Sequence, residues 1–174
     1  MDHADHIQLL RDGIAGLGGS WADIGAGAGA FTLALADLIG PSGEVHAVDR
    51  DARALERNAQ AMTTCFPNVR ASHHRADFCQ PLELPALDGI VMANALHFVA
   101  DQGAALRQLR SYLKPGGRFL IVEYNISRGN FAVPHPVPFE RWQGLAQAAG
   151  FEHTALLFRR PSRTLREIYS AASW

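Results

Sequence analysis

Trp21-Ala22-Asp23-Ile24-Gly25-Ala26-Gly27-Ala28-Gly29-Ala30 is the stretch of the chain that decides its fold. Residues 21–24 are typical of a buried strand, and alternate glycines follow them at once. Glycine tolerates positive φ and lets a ligand approach the backbone closely. The apolar run 31–39 predicts a helix directly after the loop, and free amides at a helix start favour an anionic group. The stretch therefore predicts a strand, a ligand-binding loop and a helix.

Short apolar runs and helix-like segments alternate along the rest of the chain. Strands are predicted at about 21–24, 44–48, 69–74, 88–93, 118–123, 151–159 and 165–171. Helices are predicted at about 5–14, 31–39, 101–113 and 139–149, with a further helix running from a cap at Asp51 towards Cys65. This order predicts an α/β fold with a doubly wound, mostly parallel sheet.

The last two predicted strands are joined by Arg160-Pro161-Ser162-Arg163, which is too short for a crossover helix. We therefore expect an antiparallel pair at the C-terminal end of a seven-stranded sheet. We also expect residues 1–174 to form a single domain, with 1–17 as an N-terminal helical segment and 18–174 as its Rossmann-like core.

Composition narrows the class of function. The chain has 16 basic and 17 acidic residues, and this lack of a basic excess argues against nucleic acid as a partner. No apolar run approaches the roughly 20 residues that span a bilayer, so no membrane partner is expected. Cys65 and Cys79 form no Cys-x-x-Cys pair, and neighbouring His73 and His74 point to opposite faces of a strand, so no metal site is expected. With no secretory leader recognised, we expect a cytoplasmic protein.

The glycine loop alone fits two kinds of cofactor. Gly25-x-Gly27-x-x-Ala30 satisfies the fingerprint of dinucleotide-binding proteins. Asp49 follows the second predicted strand and suits ribose hydroxyls in either case. An NAD(P)-binding oxidoreductase or redox-sensing domain is therefore one alternative.

Three features favour S-adenosylmethionine over NAD(P). Asp23 stands two residues before the first glycine, where a negative charge opposes a pyrophosphate but favours an ammonium group. Asp77 follows the third predicted strand and suits an exocyclic amine. The closing strand pair leaves no catalytic domain for a dehydrogenase, and Arg128 stands where a Tyr-x-x-x-Lys dyad beginning at Tyr124 needs lysine.

Five segments together resemble the class I S-adenosylmethionine-dependent methyltransferases of the small-molecule type. They are WADIGAGAGAF (21–31), VHAVDRD (45–51), HRADF (74–78), LDGIVMANALHFV (87–99) and LKPGGRFLIVE (113–123). Within that class, the chain is similar to the group around the ubiquinone and menaquinone methyltransferases. The resemblance implies methyl transfer from S-adenosyl-L-methionine.

The resemblance also implies which residues bind that cofactor. Asp23 would lie near the amino group of the methionine, Asp49 on the ribose hydroxyls and Asp77 on the adenine amine. The remaining expected contacts are the loop residues Gly25, Ala26, Gly27 and Gly29, and the side chains of Arg50, Phe78 and Asn94. A turn or helix cap would also account for the acidic residues, and a solvated surface side chain for Arg50.

His97 is the candidate general base, because it follows the fourth predicted strand, is expected to face the ligand cavity, and histidine titrates near neutrality. A structural histidine bonded to a loop carbonyl is the competing interpretation. Displacement at a sulfonium needs in-line alignment above all, and a base only if the acceptor starts out protonated.

We expect a small-molecule acceptor, because Asn94 is not followed by the Pro-Pro of enzymes that methylate planar amino nitrogens. Its pocket would come from the N-terminal segment, from residues 125–138 or from a second subunit, so a homodimer stays open. A chain that binds the cofactor without catalysis, as a sensor or partner subunit, is the remaining alternative.

Overall fold

A computed structural model describes residues 1–162 and 165–174. Within them the strands are β1 (Gly19–Ile24), β2 (Gly43–Asp49), β3 (Arg70–Arg75), β4 (Leu87–Ala93), β5 (Leu113–Tyr124), β6 (Thr154–Pro161) and β7 (Glu167–Ser173). They form one sheet in the order β3-β2-β1-β4-β5-β7-β6. Strands β1 to β5 are parallel, and β7 is antiparallel to both β5 and β6. The predicted α/β fold with its antiparallel C-terminal strand is confirmed.

The α-helices of the described residues are α1 (His3–Leu10), which precedes β1, and α2 (Ala30–Ile39), α3 (Ala52–Cys65), α4 (Gln102–Arg110) and α5 (Phe139–Ala148), which connect strands. The predicted cap of α3 is confirmed, because Asp51 accepts hydrogen bonds from the amides of Arg53 and Ala54 at 2.9 and 3.2 Å. No helix among the described residues is long and apolar enough to cross a membrane.

The helices cover both faces of the sheet. On one face, α1, α2 and α3 pack on strand residues such as Trp21 and Leu120. On the other face, α4 and α5 bury Trp142 against Phe119, with ring centroids 5.5 Å apart. Alternate residues of each strand therefore serve opposite core layers, which explains why the central strands are almost continuously apolar.

Several predicted boundaries differ from the structure. The first helix ends at Leu10 and continues only as a 3₁₀ turn, and α4 ends at Arg110 rather than Leu113. The predicted turn 114–117 belongs to β5, whose pairing with β4 is irregular between Leu87 and Gly89. β6 runs through Pro161, so part of the predicted last connection is strand, and its Arg163 lies outside the described residues.

Candidate functional site

The glycine loop joins β1 to α2 at the carboxyl edge of the parallel strands. Gly25, Gly27 and Gly29 all have positive φ, at 74°, 52° and 100°. The amides of Gly25 and Ala26 donate to the carbonyl oxygen of Val48 at 2.9 and 3.0 Å. These bonds fold the loop back over the end of β2, so its exposed backbone faces the space between neighbouring strand ends.

The two glycines that begin the loop have different surroundings. A Cβ atom on Gly25 would lie 2.5 Å from Cβ of Ala95, much closer than two non-bonded carbon atoms can approach. A Cβ atom on Gly27 would meet no described atom within 4 Å. Gly25 is therefore needed for packing against the loop that follows β4. Gly27 leaves bare backbone beside open space, which suits a ligand that lies close to the loop.

The carboxylate of Asp49 is fixed at the end of β2 by two backbone amides. One oxygen accepts from the amide of Gly27 at 2.8 Å, and the other accepts from the amide of Asp51 at 2.9 Å. A carboxylate oxygen can accept more than one hydrogen bond. Both oxygens therefore retain acceptor capacity in a fixed orientation, which is what a pair of vicinal hydroxyls requires.

A cavity of about 690 Å³ lies at this edge of the sheet. The predicted contacts that line it are Gly25, Asp49, Arg50, Asp77, Phe78 and Asn94. The ends of β1, β2, β3 and β4 bring these residues together, although they are far apart in the sequence. The predicted loop contacts Ala26, Gly27 and Gly29 belong to the same loop but not to this lining.

The charged side chains that line the cavity are mostly acidic. Asp49, Asp77 and Asp101 contribute three carboxylates, and Arg50 contributes one guanidinium. Opposite charges attract over several ångströms. The cavity therefore favours a ligand with positive charge over one with a pyrophosphate.

The loop after β3 is held by bonds to its own backbone and to α4. One oxygen of Asp77 accepts from the amide of Cys79 at 2.9 Å. Gln108 on α4 donates to the carbonyl oxygens of Phe78 and Gln80 at 3.1 and 2.7 Å. The side chains of Asp77 and Phe78 thus occupy defined positions at the cavity. Burial and the neighbouring Asp77 raise the pKa of the Cys79 thiol, which also lines the cavity.

Asn94 follows β4 in a conformation that is uncommon for a residue other than glycine. Its φ is 51°, and its amide donates to the carbonyl oxygen of Val122 at 2.8 Å. Its side-chain oxygen is buried and has no hydrogen-bond partner among the described residues. An unpaired buried acceptor costs about 1–3 kcal/mol. A ligand in the cavity that donates a hydrogen bond to Asn94 would recover this cost.

Asp23 lies beneath the glycine loop and not in the cavity lining. Its side chain is 1% exposed and accepts from the hydroxyl of Thr32 at 2.6 Å. Thr32 in turn accepts from Asn58 at 2.8 Å, and the Asn58 oxygen lies 3.2 Å from Nε2 of His73. Burial raises the pKa of Asp23 to about 7, although the bond from Thr32 opposes the shift. The expected proximity of Asp23 to a methionine amino group stays a prediction.

The expectation that the His97 side chain faces the cavity is wrong. The residue is 2% exposed and absent from the cavity lining. Its Nδ1 lies 2.7 Å from one oxygen of Glu123, and its amide donates to the other oxygen at 3.2 Å. The 3₁₀ turn Leu96–Phe98 directs the ring inward, because the buried carboxylate on β5 needs donors on both oxygens. A role as general base remains a prediction.

Two groups of residues at the site were missed from the sequence. One is the cavity wall formed by residues 98–108, including Phe98, Asp101 and Gln108. The other is the buried chain through Thr32 and Asn58 that supports Asp23. The wall was within reach of sequence reasoning, because a helix that follows a parallel strand begins at the edge where ligands bind. Nothing in the sequence pattern pairs Thr32 with Asn58.

Together, the sheet order, the glycine loop and the cavity at the carboxyl edge are those of a class I, Rossmann-like methyltransferase fold. Residues 22–119, more than half of the chain, match the family described as "Methyltransferase domain". The chain belongs to this family.

Two curated relatives share 33% identity with the chain. The ubiquinone/menaquinone biosynthesis C-methyltransferase UbiE of Hahella chejuensis matches over 110 residues, which are 62% of this chain and 44% of the relative. A demethylmenaquinone methyltransferase of Staphylococcus aureus matches over 101 residues, which are 58% of this chain and 41% of the relative. The match thus spans less than half the length of either relative.

Solved structures share the fold at low sequence identity. The YcgJ protein from Bacillus subtilis superimposes with a TM-score of 0.78 at 16% identity, and the alignment covers 98% of each chain. An S-adenosylmethionine-dependent methyltransferase from Aquifex aeolicus gives a TM-score of 0.77 at 17% identity, covering 97% of this chain and 88% of that chain. These likenesses establish the architecture that places the cavity.

Proposed function

We propose that this chain binds S-adenosyl-L-methionine in the cavity at the carboxyl edge and transfers its methyl group to a small-molecule acceptor. The observation that carries the proposal is the acidic lining beside a bare glycine loop. A sulfonium and an ammonium group gain from that field. A dinucleotide would bring its pyrophosphate against the same carboxylates, so the NAD(P)-binding alternative is disfavoured.

Each part of the cofactor has a candidate partner in the chain. Asp49, held by two amides, would accept from the ribose hydroxyls. Asp77 would accept from the adenine amine, and the side chains of Phe78 and Arg50 would lie beside the adenine ring. The unpaired oxygen of Asn94 would accept from a donor near the methionine end.

The glycine loop supplies the rest of the proposed cradle. Gly25, Ala26, Gly27 and Gly29 would surround the methionine moiety with backbone. Asp23 lies below this loop, and its negative charge, where the carboxyl is ionised, would favour an ammonium group above it. Asp23 would then act at a distance, as a positioning residue.

The chemistry that the bound cofactor supplies is an electrophilic methyl group with a neutral leaving group. The protein has to bind both reactants, align them in line and exclude water. If the acceptor begins protonated, we propose that His97 takes the proton. Glu123 accepts from Nδ1 of the ring, so Nε2 is the nitrogen left to act as base.

A small-molecule acceptor is supported by the wall that flanks the cavity, which carries Phe98 and Val99. Of the two relatives that share 33% identity, one is named for ubiquinone/menaquinone biosynthesis and the other for demethylmenaquinone, and these are small molecules. A non-catalytic sensor or partner subunit is the alternative to an enzyme. Transfer of a labelled methyl group to mixtures of acceptors distinguishes these two possibilities.

Calorimetric titration with S-adenosylhomocysteine tests the binding proposal. Asp49→Asn removes the negative charge that faces the ribose, so we expect roughly 10–100-fold weaker binding. Asp51→Asn is the matched control, because Asp51 caps α3 outside the lining and asparagine caps helices equally well.

Two results would contradict the assignment. One is equal affinity of the Asp49→Asn variant and the parent for S-adenosylhomocysteine. The other is tight binding of NAD with no binding of S-adenosylhomocysteine, which would restore the dinucleotide interpretation.

A further inference from the structure

A second cavity, of about 510 Å³, lies where β5 leaves the sheet. Its lining begins at Asn125, immediately after β5, and includes the ring of Phe139 at the start of α5. The N-terminal end of β7 adds Arg166. Because β7 is antiparallel to β5, its beginning lies at the same edge of the sheet as the end of β5. Both cavities are therefore at the carboxyl edge of the parallel strands.

The second cavity carries the opposite charge to the first. Arg128, Arg159 and Arg166 contribute three guanidinium groups to its lining, and Glu140 contributes one carboxylate. Arginine presents a planar set of donors that matches a carboxylate or a phosphate. Three arginines around one cavity thus favour an anionic ligand.

The three arginines differ in whether a carboxylate of the chain already neutralises their charge. Nε of Arg159 lies 3.8 Å from an oxygen of Glu167, and its guanidinium lies 5.8 Å from the centre of the Phe139 ring. The same Glu167 oxygen accepts from Asn125 at 2.6 Å. Arg159 is therefore held in place and partly neutralised, beside an aromatic surface.

Arg128 and Arg166 have no such partner. In the described part of the chain, no carboxylate oxygen lies within 4.0 Å of either guanidinium. Their charges are available to a ligand in the cavity. Asn125 and Ser127 add neutral polar groups to the same lining.

The two cavities are near enough for one small molecule to reach both. Asn94 of the first cavity follows β4, and Arg166 of the second precedes β7, two strands further along the order β4-β5-β7. Two strand spacings are roughly 10 Å, and the strand register places Arg166 three residues beyond the level of Asn94, so the two backbones are roughly 14 Å apart. The centroid of the His97 ring lies 4.3 Å from that of Phe98, in the first cavity, and 6.2 Å from that of Tyr124, which precedes Asn125 of the second.

We infer that this second cavity, defined by Arg128, Arg159 and Arg166, binds the anionic group of the methyl acceptor. The acceptor is then a small molecule with a carboxylate or a phosphate ester at one end and its nucleophilic atom roughly 14 Å away. The ring of Phe139 suits an apolar or aromatic body. The role as acceptor site rests on the proposed function, whereas the binding of anions does not.

Arginine Nε–H resonances of the ¹⁵N-labelled full chain report binding directly, with no need for turnover. The probes are benzoate, phenyl phosphate and the neutral benzamide, each titrated into the protein without cofactor. Benzoate, phenyl phosphate or both should shift resonances assigned by Arg→Gln substitution, and benzamide should bind at least tenfold more weakly. The two anions distinguish a carboxylate site from a phosphate site.

The double variant R128Q/R166Q should weaken binding of the anions roughly 10–100-fold, because it removes the two charges without a carboxylate partner. Arg70→Gln is the matched control, since Arg70 is an exposed arginine at the start of the opposite outer strand β3. It should change the dissociation constants less than twofold.

Equal binding of benzamide and the anions would overturn the inference, and this comparison needs only the parent protein. So would a double variant that binds the anions as tightly as the Arg70→Gln control. Failure of S-adenosylhomocysteine to bind in calorimetry would remove the proposed function alone, leaving an anion site of another purpose.

Discussion

Replacing Asp23 by asparagine should make the stability of the protein less sensitive to pH. Asp23 is buried beneath the glycine loop, and its pKa is raised from 3.8 to about 7. Burial is the main cause, because it penalises the ionised form, and the bond from Thr32 offsets only part of it. Asparagine has nearly the shape of the protonated acid and can accept the same hydrogen bond, but it never ionises.

The sign and the size follow from the pKa in the folded and unfolded states. Below pH 3.8 both states are protonated, and the group has no effect on the free energy of unfolding. Between pH 3.8 and about 7 the folded state binds the extra proton, so stability falls as the pH rises. At about 1.4 kcal/mol per unit the full loss is about 4 kcal/mol, of which roughly 2–3 kcal/mol falls between pH 5 and pH 8.

Urea denaturation of the parent and of Asp23→Asn at pH 5 and pH 8 measures this loss. The advantage of the variant over the parent should grow by roughly 2–3 kcal/mol over that interval. Glu56→Gln is the matched control, because Glu56 is an exposed carboxylate on α3. The free-energy difference between this control and the parent should stay constant with pH to about 0.5 kcal/mol.

A difference between Asp23→Asn and the parent that is the same at both pH values would refute the reasoning. It would mean that the Asp23 carboxyl keeps an ordinary pKa, through water or another donor beneath the loop. A difference that shrinks as the pH rises would also refute it, because the ionised carboxylate would then be stabilising.

Four further predictions concern the site itself. Gly27→Ala should cost about 1–2 kcal/mol of stability, because φ is positive at this position. It should also weaken S-adenosylhomocysteine binding roughly tenfold or more, because the added Cβ enters the open space proposed for the ligand. Gly25→Ala should instead lower the free energy of unfolding by about 2–4 kcal/mol in urea denaturation, because its Cβ would clash with Ala95. Equal losses for the two variants would contradict this packing argument. Saturating S-adenosylhomocysteine should slow the alkylation of Cys79 by iodoacetamide, measured by mass spectrometry. Cys65, which is also exposed and lies at the end of α3, should react at an unchanged rate. Equal protection of both thiols, or of neither, would place the ligand elsewhere. His97→Gln should lower turnover roughly 100-fold on an acceptor that must lose a proton, and it should change cofactor affinity little. Unchanged turnover would exclude His97 as the base.

The sequence alone was sufficient to predict a mostly parallel, seven-stranded sheet and the edge of that sheet where a ligand cavity lies. Strands such as 21–24 and 88–93 are short, mostly apolar runs, and both are central in the sheet. Parallel strands have their carboxyl ends at one edge, so residues that follow them, such as Asp49, Asp77 and Asn94, must come together. Local periodicity and chain order contain this information, because they depend on neighbours close in sequence.

Strand ends were less accessible to sequence reasoning. Lys114-Pro115-Gly116-Gly117 has the composition of a turn, yet it lies within β5. The pairing of Leu113 with Leu87 extends the strand past the irregularity, and that pairing depends on a partner strand 26 residues away. Turn chemistry predicted the change of direction but not that the chain pairs with β4 on both sides of it.

What only the tertiary structure decided is the direction of individual side chains. The sequence positions His97 just after β4 and Asp23 just before the loop, and it suggested that both face a ligand. In the structure His97 turns to Glu123 on β5, and Asp23 turns to Thr32 on α2. Buried polar groups must find partners, and those partners come from elements that meet only when the sheet and its helices pack. Periodicity therefore determines which residues reach the carboxyl edge, and packing determines which of them face the cavity.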